Sequence, residues 1–211
     1  MKTILFFGDS NTWGYHPVTG RRYSTDERFT GRLSNMLPEC RIIEEGLKGR
    51  TTATDDEMGP LRNGRKALPM VLCTHDPIDY LVIMLGTNDV KRRFQLSPGE
   101  IAEGLERLIQ IVKTPHLWDG TAVPEILIVC PANVSVDYTG SAMDRSFDHT
   151  SVEKAKALHG VYEELAKQYE CAYLNAMEYT QTGATDGVHL EADGHRKLAD
   201  ALYQELKQNI F

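Results

Sequence analysis

Short apolar runs alternate with longer stretches of helical period along the chain. Most of the runs at 3–7, 41–44, 80–85, 125–130 and 171–174 are rich in Ile, Leu, Val or Phe. Most lack the apolar–polar alternation of a half-exposed strand, so they read as strands covered on both faces. Between them, Phe29, Leu33, Met36 and Leu37 share one helical face. Ser97-Pro98-Gly99-Glu100 has the form of a capping box with proline at the first helical position. It opens a helix carrying Ile101, Leu105, Leu108, Ile109 and Val112 on one side. Val152, Ala155, Leu158, Tyr162 and Leu165 define another helix, and Leu198, Leu202 and Leu206 the last. The stretch 54–73 is less regular, and Pro69 is expected near a helix start.

Strand, helix, strand, helix predicts an α/β fold, a parallel sheet with helices on both faces. No internal repeat, low-complexity tract or linker interrupts it, so a single domain over 1–211 is expected. A chain of 211 residues buries enough surface to need no disulfide or metal staple. Two connections, 113–124 and 131–150, are long, and loops of that length often serve as lids or interfaces.

Charge and cysteine usage narrow the partners. The net charge of −7 repels phosphate backbones, so no nucleic-acid partner is expected. The basic run Lys91-Arg92-Arg93 reads as a solvated loop. Cys40, Cys73, Cys130 and Cys171 form no CxxC pair, which points to reduced thiols and a cytoplasmic setting. The apolar start is cut at Gly8-Asp9, too short for a signal peptide. No run approaches the ~18 apolar residues of a membrane helix, so no membrane partner is expected.

In an open parallel sheet, ligands bind beyond the carboxyl ends of the strands. The first strand exits into Gly8-Asp9-Ser10-Asn11, which would expose a serine hydroxyl. The second exits into Glu44-Glu45-Gly46-Leu47-Lys48-Gly49-Arg50-Thr51-Thr52, where Gly46, lacking a Cβ, can bring its N–H close to a ligand. The third exits into Gly86-Thr87-Asn88-Asp89, where the Asn88 amide can donate to an oxyanion. Asp186-Gly187-Val188-His189 stands just before the last helix. A serine hydroxyl needs an adjacent base, and that base needs a group to hold its tautomer. Each motif alone is an ordinary polar turn. Their combination at successive strand exits is specific.

These four blocks, in this order, resemble those of the GDSL/SGNH hydrolases, and the resemblance spans the chain. Gly8-Asp9-Ser10-Asn11-Thr12-Trp13-Gly14 and Met84-Leu85-Gly86-Thr87-Asn88-Asp89 are similar to the arylesterase and acyltransferase/perhydrolase subgroup. Glu44-Glu45 precede Gly46 where many family members have Asn. The resemblance implies a three-layer flavodoxin-like fold with five parallel strands in the order 2-1-3-4-5. It implies a serine esterase for small, acetyl-like esters working through an acyl-enzyme, with acyl transfer as a side activity. Ser10 would be the nucleophile, His189 the base and Asp186 its orienting group. Ser10 N–H, Gly46 N–H and the Asn88 side chain would form the oxyanion hole, with Asp9 and Asp89 bracing the turns. No metal or cofactor is expected.

Trp13, three residues past Ser10, and Phe94, beyond the third strand exit, are the expected walls of a small acyl pocket. A homo-oligomer is expected from the subgroup and from Trp118, Val134, Val136, Tyr138, Met143 and Phe147 in the long loops. Two other readings stay open at this level. Asp186, His189, Asp193 and His195 form a local cluster that would suit a metal-dependent hydrolase, although no HExxH pattern exists. A non-catalytic binding module on a flavodoxin-like fold is the other.

Overall fold

The structure, a computed structural model, describes residues 1–118 and 120–210, without the side chains of His116, Asn209 and Ile210. Asp119, in the 113–124 connection, and Phe211 lie outside the described residues. In chain order the elements are β1 (Lys2–Gly8), α1 (Ser10–Trp13), α2 (Phe29–Met36), β2 (Cys40–Gly46), α3 (Gly64–His75), β3 (Tyr80–Met84), α4 (Pro98–Val112), β4 (Glu125–Cys130), α5 (His149–Gln168), β5 (Ala172–Asn175) and α6 (Ala192–Ile210). Short 3₁₀ turns at Pro115–Leu117, Val136–Tyr138, Ala142–Arg145 and Ala176–Glu178 break up the connections.

The lack of alternation in the strands has a direct structural cause. Successive strand residues point to opposite faces, and both faces here are covered. In β1, Leu5 and Phe7 enter one apolar layer, while Ile4 and Phe6 enter the other. In β3, Leu81 and Ile83 divide in the same way from Val82 and Met84. Leu68, Leu72, Leu105, Leu108, Leu158 and Tyr162 from α3, α4 and α5 close the first layer. Phe29, Leu33, Leu198 and Leu202 from α2 and α6 close the second.

The five strands are all parallel, in the order β2-β1-β3-β4-β5. The chain steps outward from β1 to β2 and returns to the other side of β1 at β3. Connections therefore diverge at the carboxyl ends of β1 and β3, and a crevice opens there. Ser10 follows β1 and Asn88 follows β3, so both enter that crevice.

The local signals act as expected at α4. Ser97 Oγ accepts from Glu100 N at 3.3 Å, and Glu100 accepts from Ser97 N at 2.8 Å. Pro69 corrects the sequence reading, because it lies inside α3 rather than near its start. Asn63 caps that helix by accepting from Lys66 N. Burial of Leu68, Val71 and Leu72 keeps α3 continuous although proline donates no N–H.

The long loops also differ from expectation. Trp118, Val134 and Phe147 are buried in the chain's own core, and Trp118 Nε1 donates to Val112 O at 2.6 Å. These residues fasten the loops down instead of offering an apolar surface. Val136 alone of the six is largely exposed. None of the described helices is long and apolar enough to cross a membrane.

Candidate active site

Asp9 makes the turn after β1. Its Oδ1 accepts from Asn11 N at 2.9 Å, which caps the single turn α1 and sets Ser10 at its first position. Gly14, at φ +84°, ends that turn. The serine hydroxyl thus stands at the sheet's carboxyl edge, largely buried at 5% exposure.

The loop before α6 brings the partners. His189 Nε2 lies 2.9 Å from Ser10 Oγ, and His189 Nδ1 lies 2.6 Å from Asp186 Oδ2. Asp186 Oδ1 accepts from Val188 N at 3.0 Å and from His189 N at 2.9 Å. One short loop therefore carries both the imidazole and the carboxylate that orients it. Burial opposes charge on Asp186, but the hydrogen bond and charge of His189 and the two backbone N–H groups outweigh it. They hold the carboxyl below its usual range.

Asn11 ties the two loops together, a role its position after serine did not reveal. Its Nδ2 donates to Val188 O at 3.3 Å, and its Oδ1 accepts from Leu190 N at 2.9 Å. Both residues flanking His189 are thus fastened to the turn that carries Ser10. The Tyr15 ring lies against the His189 imidazole, with centroids 4.2 Å apart.

The block after β3 lies across the crevice. Asn88 Nδ2 donates to Arg50 O at 3.0 Å and to Asp9 Oδ2 at 3.2 Å. Asp89 accepts from Thr52 N at 3.0 Å and from Thr52 Oγ1 at 2.7 Å. Asp9 and Asp89 thus brace the turns. Burial pushes Asp89 up to about 7 against the Thr52 hydrogen bonds. Burial also raises Asp9, against the Asn11 N–H.

A cavity of about 150 Å³ opens beside Ser10, Asn88 and His189. Tyr15, Met143, Phe147 and Val188 supply its less polar wall, and Lys48, Gly49, Arg62 and Lys91 the rest. Several expectations need correction here. Gly46 does not line the cavity. It lies beneath α1, where a Cβ would run into the backbone of Thr12 and Trp13, so glycine is needed there for close packing. Gly49 reaches the cavity instead, at φ +83°, a conformation that favours glycine. The second glycine of Gly46-Leu47-Lys48-Gly49 was the signal available in the sequence.

Trp13 and Phe94 are also absent from the lining. Trp13 is half-buried with Lys48 Nζ 4.6 Å from its ring centroid, and Phe94 is stacked by Arg93 at 4.7 Å. Phe147 and Met143, from the long loop, take the place assigned to them. Lys91 is no solvated loop residue, since it is half-buried and faces the cavity. His195 and Asp193 do not join Asp186 and His189. The buried His195 ring packs against Phe29 and Tyr23, and exposed Asp193 pairs with Arg196 and Lys197. No group of three potential metal ligands occurs among the described residues.

Fold and site geometry together define an SGNH hydrolase architecture. The chain belongs to the GDSL-like lipase/acylhydrolase family, whose model matches residues 6–197. It is similar to Est24, a carbohydrate acetylesterase from Sinorhizobium meliloti, with 34% identity and a TM-score of 0.94 over 100% of both chains. It is also similar to the native M. smegmatis aryl esterase, with 34% identity and a TM-score of 0.93 over 99% of both chains. A putative arylesterase from Agrobacterium tumefaciens is 36% identical with a TM-score of 0.90, over 99% of both chains. The uncharacterized esterase YxiM of Bacillus subtilis is 24% identical over 98% of this chain, which spans only 52% of that longer protein.

Proposed function

We propose that this chain is a serine esterase that hydrolyses small acyl esters through an acyl-enzyme. The observation that carries the reading is the unbroken line from Asp186 Oδ2 through His189 to Ser10 Oγ, at 2.6 and 2.9 Å. His189 takes the Ser10 proton as Oγ attacks the ester carbonyl, then gives it to the leaving alcohol. Water repeats the sequence on the acyl-enzyme and releases the acid. Asp186 stabilises the imidazolium formed at each step.

The oxyanion donors in this reading are Ser10 N–H, Gly49 N–H and Asn88 Nδ2, with Gly49 in the place first assigned to Gly46. Both Asn88 Nδ2 hydrogens are donated in the structure, to Arg50 O at 3.0 Å and to Asp9 Oδ2 at 3.2 Å, so donation to an oxyanion would replace the bond to Asp9. A cavity of about 150 Å³ is small beside the ~300–1,000 Å³ typical of drug-sized ligands. Acetyl and propionyl groups suit it better than long chains. An alcohol or peroxide replacing water would make the same acyl-enzyme an acyl donor, which is how the side activity would arise.

The test is labelling and turnover. An organophosphonate should attach to Ser10, and p-nitrophenyl acetate should be hydrolysed faster than the octanoate. Near-normal turnover by Ser10→Ala would overturn the mechanism, and equal rates on both esters would overturn the small pocket. We further propose self-association, for which exposed Met58, Leu61 and Met70 now supply the motive in place of the buried loop residues. Light scattering giving a monomer mass at micromolar concentration would dispose of it. The four free thiols suit a reducing compartment such as the cytoplasm.

A further inference from the structure

We propose that the cavity beside Ser10 selects esters that carry an anionic group, a carboxylate or phosphate, near the scissile bond. The inference rests on the esterase reading and names its substrate class. It starts from a contrast of sign. The chain as a whole carries −7, yet the cavity lining includes Lys48, Arg62 and Lys91 and neither Asp nor Glu. Asp186 does not cancel them, because it lies on the Nδ1 side of the His189 ring, opposite Ser10.

The pairing of these cations leaves positive charge facing the cavity. Arg62 shares a single carboxylate, Asp56, with Arg93, at 2.9 and 2.6 Å. Two guanidinium groups thus meet one negative charge. Lys91 follows the Asn88 turn, and its Nζ sits 5.7 Å from the Phe147 ring centroid. No ion pair joins Lys91 or Lys48 to a carboxylate among the described residues. Lys48 Nζ is held 4.6 Å from the Trp13 ring centroid and 6.0 Å from that of Tyr15. The aromatic faces support the ammonium without neutralising it. Burial, with Arg93 and Arg62 nearby, pushes Lys91 down to about 8. Asp56 and Asp9 attract Lys91 without pairing with it, so part of the cost of keeping its charge there remains, and a substrate anion would relieve it. A neutral acetyl ester would leave it unrelieved.

The charge could sit on the acyl or on the alcohol portion, and matched ester pairs separate the two. Mono-p-nitrophenyl succinate against p-nitrophenyl butyrate tests the acyl side. 4-Acetoxybenzoate against its methyl ester tests the alcohol side. At least one charged ester should exceed its neutral match in kcat/KM by about tenfold, the effect of one charged hydrogen bond. The advantage should shrink as salt is added. Lys91→Met should reduce the charged-to-neutral ratio by about tenfold. Lys48→Gln, at an exposed position that the fold tolerates, should reduce it by about threefold. Neutral esters matching or exceeding charged ones in both pairs would overturn this proposal while leaving the esterase reading intact. A charged-ester advantage unchanged by both substitutions would also overturn it. Failure to hydrolyse any of the four esters would instead overturn the esterase reading, and this one with it.

Discussion

Three buried aspartates flank Ser10, and their carboxyls are shifted in opposite directions. Asp186 sits against the His189 ring and two backbone N–H groups, which keep its carboxyl charged despite burial. Asp89, more deeply buried on the other side of the crevice, meets Thr52, and burial prevails to push it up to about 7. Asp9 is raised in the same direction. The difference lies in how deeply each carboxyl is buried and in what it faces. In the proposed mechanism Asp186 faces a ring that becomes cationic when Ser10 is deprotonated, so its charge would serve the transition state. Asp9 and Asp89 face amides and a hydroxyl, which brace a turn equally well without a full charge. Residue type alone does not separate the two kinds of carboxylate.

Substitutions on the two sides should therefore differ in size. The largest effect belongs to the atom both sides serve: Ser10→Ala should lower kcat by about 10⁴–10⁶, measured on p-nitrophenyl acetate. Next, Asp186→Asn should cost about 10⁴ in kcat with the fold intact by circular dichroism, because the imidazole loses its orienting charge. A comparable loss in Asp89→Asn would erase the contrast between the two sides. Across the crevice, Asn88→Ala should lower kcat by about 10²–10³, since one oxyanion donor is lost. A change confined to KM would refute that role. Asn11→Ala loosens the clamp on both sides of His189 and should cost about 10–10² in kcat through misplacement of the ring. Organophosphonate labelling should slow in parallel, and an unchanged labelling rate would remove Asn11 from the positioning set.

The smallest effect sharpens the comparison through pH. Asp89 holds its proton more tightly when folded than when unfolded, where its value is about 4. Its contribution to stability is full below that value and falls as pH rises toward about 7. Asp186 works in the opposite sense. Its lowered value gives stability above the unfolded range, lost as pH falls through the folded one. Asp89→Asn should flatten the decline between about pH 5 and 7 in urea-unfolding midpoints, with little change in kcat. A variant whose stability falls over that range as steeply as the parent's would show that Asp89 is not the group responsible.

The sheet was legible because strands buried on both faces need continuous apolar residues, and the runs at β1, β3 and β4 supply them. The capping box at Ser97 was legible because its bonds are made within four residues. The irregular stretch before α3 was harder to read. Pro69 resembles a start signal, but α3 begins earlier at an asparagine cap and is held by tertiary burial of Leu68 and Leu72.

The sequence by itself determined the parallel sheet, its order through the family resemblance, and the placing of Ser10 and Asn88 at strand exits that meet, with Asp186 and His189 in the loop before the last helix. Strand ends converge whenever parallel strands pair in register, so residues just past them share one crevice. Only the tertiary structure decided which groups inside each exit turn face that crevice. Gly46 is covered by α1 and Gly49 is not. Trp13 carries Lys48 on its ring instead of walling the pocket, and Lys91 turns inward from what reads as a solvated basic run. A strand's side-chain direction follows from a fixed alternation, whereas a turn's direction depends on the packing of distant segments against it. For Gly46 that segment is the backbone at Thr12 and Trp13, and for Lys91 it is the loop carrying Phe147.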